Sequence, residues 1–233
     1  YPRPSRRHGV LADFALASYQ IATRLYNQLL GTTLVEGVDG QRCGYLQVTE
    51  DSETLDYLKQ FADCDLPFRV LNAEKASDEL GAPLTQDALF FPDASWLHPA
   101  AVCRERLSHS RIQLHEFCGN CDFGSSTAGW QINDSLGNRY DSDILVLATA
   151  NQLTEASETA WLPLQTIRGQ TTHVPATESS SGLRTAFCHE GYLAPPRLGV
   201  HCLGATYGPQ DTALDERPAD HRVNLQKLAS ALP

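Results

Sequence analysis

The segment from Asp143 to Ala150 constrains the possible fold more than any other part of the sequence. It contains an unbroken apolar run, ILVLA, at positions 144–148. Such a run is typical of a strand that is buried on both faces, as in a parallel sheet or at a central sheet position. A strand of this kind needs a covering layer on each side, so the segment predicts a sheet flanked by helices.

Other segments alternate between helical and strand-like patterns. Apolar residues from Gly9 to Leu30 recur at helical spacing, and Gly31 is a suitable end for that helix. Further helices are predicted after Asp51 or Ser52, between Asn72 and Gly81, from Pro99 to Ser108, and after Pro218. Strands are predicted at Arg42 to Thr49, Ala88 to Phe91, Ile112 to Phe117, Trp130 to Asn133, Gln165 to Val174, Thr185 to His189 and Val200 to Ala205. Together these patterns predict an α+β (mixed α/β) fold.

The charge balance argues against one function class. The formal net charge is -10, from 28 acidic and 18 basic residues. A negative field repels phosphate backbones, so the chain alone is not expected to be a general nucleic-acid binder. Basic residues cluster only at the start, in Arg3, Arg6, Arg7 and His8, where we expect a solvated surface. No apolar run approaches the ~20 residues of a membrane span and no signal peptide is visible, so a cytoplasmic location is expected.

The seven cysteines are expected to be reduced thiols, because no secretory signal is visible. Cys118 and Cys121 have the C-x-x-C spacing, which also occurs in metal clips and redox pairs. A structural zinc site needs four ligands, and neither a second C-x-x-C nor a paired histidine motif follows. The spacing therefore favours a turn between two strands with Gly119 and Asn120 as turn residues, and no metal is assigned.

Signatures of a self-contained enzyme are missing. The sequence contains no G-x-S-x-G elbow, no P-loop, no H-E-x-x-H and no G-x-G-x-x-G after a strand. Residue patterns alone therefore predict a soluble mixed α/β domain without an assigned activity.

Six ordered motifs carry a resemblance that covers essentially the whole chain. They resemble the C-terminal oxidoreductase half of the bifunctional enzymes that make 5-methylaminomethyl-2-thiouridine in tRNA, within the D-amino acid oxidase family. The motifs are RHG (7–9), FFPDASWLHP (90–99), ILVLATAN (144–151), RGQTTHVP (168–175), GYLAP (191–195) and HCLGATY (201–207).

The resemblance implies an FAD-dependent oxidoreductase. In that family the flavin domain oxidatively removes the carboxymethyl group from 5-carboxymethylaminomethyluridine at the tRNA wobble position. An S-adenosylmethionine-dependent methyltransferase domain of the same polypeptide then methylates the exposed amine. The flavin supplies the redox chemistry, and the protein supplies orientation and a dry pocket.

Two family elements are not found in this sequence. The strand, glycine loop and helix that cradle the FAD pyrophosphate would precede Tyr1, and a glycine-arginine element near substrate would follow Pro233. The resemblance thus implies a fragment that by itself binds FAD poorly and does not turn over.

Residues that match the family's flavin-contacting positions share small size or a strand end. They are Thr149, Ala150, Asn151, Gly169, Gln170, Gly204, Ala205 and Thr206. An ordinary strand end, a β-bulge or close backbone packing explains the same residue types without a cofactor, and both explanations stay open.

On the substrate side the resemblance implies Tyr192, whose hydroxyl could bond a carboxylate or a ring edge. Trp96 and His98, in a predicted loop between a strand and a helix, are implied to line or brace the pocket. Tyrosines in strands are also common packing residues, and His98 precedes Pro99 as an ordinary helix-start residue would. No catalytic residue is assigned.

The family also implies discontinuous domains, because its chain crosses between them several times. We expect flavin-side segments at residues 1–30, 132–163 and 202–233, and a substrate domain with a mainly antiparallel sheet from 31–131 and 164–201. Apolar surface exposed on the flavin-side remnant would favour a homo-oligomer.

Two alternatives remain open from the sequence. One is an oxidase of a free amino acid such as glycine or sarcosine. The other is a flavin-free binding domain that keeps an oxidase-like shape.

Overall fold

The computed structural model describes residues 9–48, 52–59, 67–127, 129–154 and 156–232. Their contacts divide them into two units, each with its own sheet. The first unit comprises the described parts of 1–105, 168–208 and 213–233, and the second those of 106–167 and 209–212. The basic residues at positions 3–8, Thr49 and Asp51 lie outside the described residues. None of the described helices is long and apolar enough to cross a membrane.

The predicted helices are confirmed, because local periodicity and end signals determine them. Asn72 caps its helix by accepting a hydrogen bond at Oδ1 from the N–H of Lys75, at 3.0 Å. Gly81 ends the same helix with a φ of 81°, in the left-handed region that favours glycine. The helices are α1 (Val10–Leu30), α2 (Ser52–Lys59), α3 (Ala73–Leu80), α4 (Pro99–Leu107) and α5 (Pro218–Ala231).

The strands of the described residues are β1 (Gly40–Arg42), β2 (Tyr45–Val48), β3 (Arg69–Leu71), β4 (Ala88–Phe91), β5 (Ser95–Leu97), β6 (Cys121–Ser126), β7 (Gly129–Asp134), β8 (Arg139–Ser142), β9 (Ile167–Arg168), β10 (Thr172–Pro175), β11 (Ala186–Cys188), β12 (Tyr192–Leu193), β13 (Val200–Gly204) and β14 (Gly208–Pro209). The first unit is built on a seven-stranded sheet with the order β10-β13-β12-β11-β2-β4-β3. All neighbouring pairs in it are antiparallel except β2 and β11, so the predicted mainly antiparallel sheet is confirmed.

One face of this sheet packs on α3 and α5. Because side chains alternate along a strand, each strand sends one set of residues to that face. Leu46, Phe187, Leu193 and Leu203 are almost fully buried there. Leu80 of α3 belongs to the same cluster, and side chains from the end of α5 pack against it. This cluster is the main hydrophobic core of the first unit.

The opposite face is covered by α1 and α2 around β4. Tyr19 of α1 and Leu55 of α2 form a second buried cluster with Leu89 and Phe91 of β4. Strand β4 is therefore buried on both faces, which explains its unbroken apolar sequence. Beyond β2, toward β13, this face of the sheet borders a cavity.

Two predicted strands are wrong. Residues 143–149 form no strand, and Ile144 and Val146 are 76% and 79% exposed. An apolar run becomes a strand only where neighbouring strands supply ladder hydrogen bonds, and no described residue pairs with this one. Residues 112–117 likewise form no strand, and Phe117 is exposed with a φ of 60°. The strand predicted at 165–174 is two short strands, β9 and β10, separated around Gly169.

The second unit contains the antiparallel sheet β6-β7-β8. Its tight turn after β7 is held by Asp134, whose carboxylate accepts hydrogen bonds from the N–H groups of Leu136 and Asn138. Hydrogen bonds from Asn138 are the main reason that the pKa of Asp134 lies below its usual value. The C-x-x-C segment makes a turn with Gly119 at a φ of 68°, but a strand follows it only on the Cys121 side. The predicted turn between two strands is therefore right for one flank only.

Candidate functional site

A cavity of about 820 Å³ lies against the sheet of the first unit. All the residues that line it belong to this unit. The register of the strands determines which residues form the cavity wall. Cys188 of β11 pairs with Gln47 of β2 on one side and with Tyr192 of β12 on the other, and Tyr192 pairs with Gly204 of β13. These four residues form one row across four strands and face the cavity, while their neighbours along each strand point into the main core.

Tyr192 is a hydrogen-bond donor at the middle of this row. Desolvation, with a smaller contribution from the adjacent Cys202, raises the pKa of Tyr192 to about 12. Its hydroxyl oxygen lies 3.9 Å from the Cys202 sulfur. The residue as a whole is 38% exposed, so a ligand in the cavity can reach it. At neutral pH the phenol therefore keeps its proton, and it can donate to an anionic group in the cavity.

Polar atoms without a protein partner surround the same cavity. Gln47 Oε1, His98 Nδ1 and His189 Nδ1 are buried and make no hydrogen bond to any residue that the structure describes. Such atoms are rare in folded proteins, because an unmet polar group loses its water without compensation. They mark the cavity as a place where a ligand could supply the missing partners.

His189 extends the wall beyond the predicted residues. Its ring stacks on Phe187, with centroids 5.4 Å apart and planes 23° apart. Burial, together with the positive charge of Lys227, lowers the pKa of His189, while Glu190 acts in the opposite direction. The neutral imidazole is therefore favoured near neutral pH.

The predicted substrate-side residues Trp96, His98 and Tyr192 are brought together around this cavity. Trp96 lies in the short strand β5 and not in the predicted loop, since β5 pairs with β1. The backbone carbonyl of His98 accepts hydrogen bonds from Ala101 and Val102, so His98 is indeed the residue before a helix. Their contact with a substrate stays a prediction.

Four of the predicted flavin-side residues form a second group. Gly204 and Ala205 line the cavity. The Thr206 hydroxyl oxygen accepts a hydrogen bond from the N–H of Gln170, the residue after Gly169. A side chain at Gly169 would place its Cβ 3.1 Å from the Thr206 carbonyl oxygen. A Cβ at Gly191 would come within 2.6 Å of the Gly204 carbonyl oxygen. Glycine at 191 is thus required by the close approach of backbone segments, whatever binds beside it, and a side chain at 169 would be tight against the Thr206 carbonyl oxygen.

Gln170 is held by the protein itself. Its Oε1 accepts hydrogen bonds from Arg168 and from the N–H of Arg217, and its Nε2 donates to the Arg217 carbonyl oxygen at 3.0 Å. Its backbone N–H donates to Thr206 Oγ1 and its carbonyl accepts from Asn224. These bonds join the segment between β9 and β10 to the residues after β13 and to α5. A contact of Gln170 with a cofactor stays a prediction.

The remaining predicted residues, Thr149, Ala150 and Asn151, lie in the second unit. A 3-10 helix spans Ala150–Thr154, and Ala150 has a φ of 49°. Thr154 donates to the Asn151 carbonyl oxygen at 2.8 Å. Their predicted role beside a cofactor is untested.

Sequence reasoning missed Gln47, His173 and His189, which all line the cavity. The strand pattern of β2 contained a usable signal, because Gln47 is a polar residue two positions after Tyr45 on the same face. Among the described residues no group of three His, Cys, Asp or Glu side chains could hold a metal ion.

Comparison with known proteins identifies the family. Residues 3–233 match the family described as FAD dependent oxidoreductase. The chain belongs to this FAD-dependent oxidoreductase family. The family inferred from the six sequence motifs is therefore confirmed.

Bacterial relatives of this FAD-dependent oxidoreductase have a longer chain. The protein named tRNA 5-methylaminomethyl-2-thiouridine biosynthesis bifunctional protein MnmC from Stutzerimonas stutzeri (strain A1501) is 37% identical over 218 residues, covering 92% of this chain and 33% of the relative. The protein of the same name from Chromobacterium violaceum is 35% identical over 228 residues, covering 96% of this chain and 34% of the relative. The chain thus spans about one third of the length of these curated relatives.

Solved structures of a glycine oxidase and an L-proline dehydrogenase share the fold. Glycine oxidase from Geobacillus kaustophilus matches with a TM-score of 0.73 and 19% identity, over 97% of this chain and 64% of that one. L-proline dehydrogenase from P. horikoshii matches with a TM-score of 0.74 and 15% identity, over 94% of this chain and 63% of that one. The predicted α+β fold of oxidase type is confirmed.

The cavity fits the ring end of the family's cofactor. Gly204 and Ala205 provide a wall without bulky side chains, against which a flat ring can lie. Small-molecule sites have volumes of about 300–1,000 Å³, and the cavity falls in this range. The pyrophosphate of FAD is usually held by a glycine-rich loop before a helix, and this sequence contains no such fingerprint.

Proposed function

We propose that this chain forms the substrate side of an FAD-dependent oxidoreductase that removes the carboxymethyl group from 5-carboxymethylaminomethyl(-2-thio)uridine at the tRNA wobble position. The observation that carries the proposal is the cavity wall, in which the donor Tyr192 pairs across the sheet with Gly204 at the small-residue end. The names of the MnmC relatives support tRNA as the substrate. Their description as bifunctional supports a methyltransferase domain as a partner in the same polypeptide.

The proposed reaction breaks one carbon–nitrogen bond in two steps. The chemistry that a bound FAD would supply is uptake of a hydride from the carbon between the amine and the carboxylate of the substrate. The substrate is left as an imine, and addition of water gives the primary amine on the uridine and releases glyoxylate. The amine must be unprotonated when the oxidation begins, since its lone pair stabilises the carbon that loses the hydride.

The protein residues bind and orient the substrate in this proposal. The neutral Tyr192 phenol donates a hydrogen bond to the substrate carboxylate, and a bond to a charged group is stronger than one between neutral groups. Gly204 and Ala205 would form the wall on which the flavin ring rests. The neutral imidazole of His189 adds no positive charge that would compete for the carboxylate.

Replacing Tyr192 by phenylalanine is expected to lower kcat/KM about 10- to 100-fold, because a hydrogen bond to a charged group contributes about 1.5–3 kcal/mol. The assay uses the full-length protein and tRNA isolated from cells that lack the enzyme, with the modified nucleosides measured by mass spectrometry. Tyr26→Phe is the control, since Tyr26 packs in a different cluster.

Three outcomes separate the candidate functions. Conversion of the tRNA nucleoside supports the proposal. Oxidation of free glycine or sarcosine without conversion of tRNA would favour a free amino acid oxidase. Neither activity, with no flavin in the purified full-length protein, would favour the flavin-free binding domain. Equal kcat/KM for Tyr192→Phe and the unchanged protein would remove Tyr192 from the site.

The 233-residue chain by itself is expected to bind FAD weakly and not to turn over, because its sequence contains no phosphate-binding fingerprint. Titrating the purified chain with FAD and following flavin fluorescence measures this affinity. A stoichiometric flavin absorption spectrum in the purified chain would contradict the expectation. The division into substrate-side and flavin-side segments stays a prediction.

Apolar side chains on the outer face of α1 support the expected homo-oligomer. Val10, Leu11 and Phe14 are 83%, 84% and 69% exposed. Exposed apolar surface of this kind favours association, and the oligomer is likewise a prediction.

A further inference from the structure

Gln47 is one of the side chains on the cavity wall with a buried polar atom that lacks a partner among the described residues. Its Oε1 is buried and bonds to no residue that the structure describes. The preceding residue, Leu46, points into the main core, so strand alternation directs Gln47 to the cavity face. A carbonyl oxygen in this position requires an N–H or O–H donor, and the cavity beside it is the place from which a ligand can provide one.

The positions of Gln47 and Tyr192 in the sheet determine how long a ligand that contacts both side chains must be. The two residues lie in the same row of the sheet, separated only by Cys188 of the intervening strand β11. Neighbouring strands lie about 4.8 Å apart, so two spacings separate the backbones by about 10 Å. A ligand that contacts both side chains must therefore span most of this distance, and its hydrogen bonds to the two side chains cover the rest.

The substrate of the proposed function spans about 7 Å between its carboxylate carbon and N3, which is most of this distance. If Tyr192 binds the carboxylate, four bonds of roughly 1.5 Å lead from the carboxylate carbon to C5 of the uracil, a span of about 5 Å in extended form. N3 of the ring is two bonds beyond C5, so it lies about 2.4 Å from C5 and about 30° off this direction, by ring bonds of roughly 1.4 Å. Hydrogen bonds at both ends then make up the remaining distance.

We propose that Gln47 recognises the uracil base through its N3–H edge. An amide side chain has a carbonyl acceptor beside an N–H₂ donor. Uracil has an N3–H donor beside a carbonyl acceptor, so the two edges are complementary. Cytosine has an acceptor at N3 and an amino donor beside it, so it would pair only with the amide turned through 180°. Gln47 therefore contacts the base, and it acts at the end of the substrate remote from the oxidised carbon.

This inference rests on the proposed function, and its test changes the ligand and the protein in parallel. The ligands are 5-aminomethyluridine, which is the nucleoside left after carboxymethyl removal, and its N3-methyl derivative. Their affinities for the full-length FAD-loaded protein are measured by calorimetry, which does not depend on turnover. In the unchanged protein N3 methylation is expected to weaken binding about 10-fold. In Gln47→Leu the two ligands are expected to bind equally, and both weakly.

Two further variants complete the experiment. Gln47→Glu keeps an acceptor oxygen in the same place, so it is expected to retain a preference for the ligand with a free N3–H. Gln131→Leu, in the second unit, is the matched control and is expected to leave both affinities unchanged.

The outcomes test the role of Gln47 and the proposed function separately. Equal binding of the two ligands to the unchanged protein overturns the inference, and so does an N3-methyl effect that persists unchanged in Gln47→Leu. If Gln47→Leu does not fold, the comparison within the unchanged protein and in Gln47→Glu still decides. Failure to convert tRNA in the nucleoside assay refutes the proposed function instead, because that result does not depend on Gln47.

Discussion

Replacement of Phe91 by alanine is expected to lower the free energy of unfolding by about 3–5 kcal/mol, the range for removing a buried phenylalanine side chain. Phe91 is fully buried at the end of β4. Its ring contacts those of Tyr19, Tyr45 and Phe68, with centroids 5.6–6.0 Å apart. Truncation leaves a cavity between α1 and the sheet that these rigid rings cannot fill.

Urea unfolding of the full-length protein, followed by circular dichroism and by tryptophan fluorescence, measures the effect. Phe91→Leu is the graded control, because it keeps most of the apolar volume and should cost clearly less. An alanine variant as stable as the leucine variant would show that the cluster around Phe91 repacks. Since Tyr45 also lines the cavity, the alanine variant should weaken substrate binding as well.

The elements that the sequence predicted correctly are those decided by local chemistry. Helix α3 combines an asparagine cap, an apolar stripe and a terminal glycine, and all three signals lie within the segment itself. Strand β4 is apolar throughout because both of its faces are covered. The signals of α3 do not depend on which distant segment lies alongside, and the apolar sequence of β4 is recognisable although its covering layers come from elsewhere.

The apolar run at 144–148 shows the limit of that approach. Its apolar pattern indicates residues that favour burial. A strand also needs neighbouring strands to pair with, and these come from other parts of a chain. The predicted strand was therefore wrong for the described residues, in which Ile144 and Val146 are exposed.

The candidate site was predictable only in part for the same reason. Tyr192, Trp96 and His98 were identified because they stand in recognisable motifs, and the structure brings them to one cavity. Gln47 and His189 were missed, because their positions depend on the parallel pairing of β2 with β11, two strands separated by more than half of the chain. Register between such distant strands is not encoded in either segment alone.

Replacement of Arg168 by alanine is expected to destabilise the protein by about 3 kcal/mol, at the lower end of the range for breaking a buried ion pair. The Arg168 side chain is 10% exposed and pairs with Asp220 of α5, which is 20% exposed. It also donates to the Ala213 carbonyl oxygen and to Gln170 Oε1. Without the guanidinium, the Asp220 carboxylate keeps its desolvation cost and loses its partner.

The exposed pair of Arg139 and Asp141 provides the comparison for this variant. Arg139→Ala is expected to cost less than about 1 kcal/mol, since both side chains are more than half exposed and water screens the pair. Arg168→Met combined with Asp220→Leu should recover part of the lost stability, because it removes both charges together.

Arg168 also holds Gln170, whose backbone bonds to Thr206 at the end of the small-residue wall. We therefore expect Arg168→Ala to weaken FAD binding by the full-length protein, measured by fluorescence titration, while Arg139→Ala leaves it unchanged. If the two variants lose equal stability and bind FAD equally, the ion pair of Arg168 with Asp220 does not anchor α5 to the sheet.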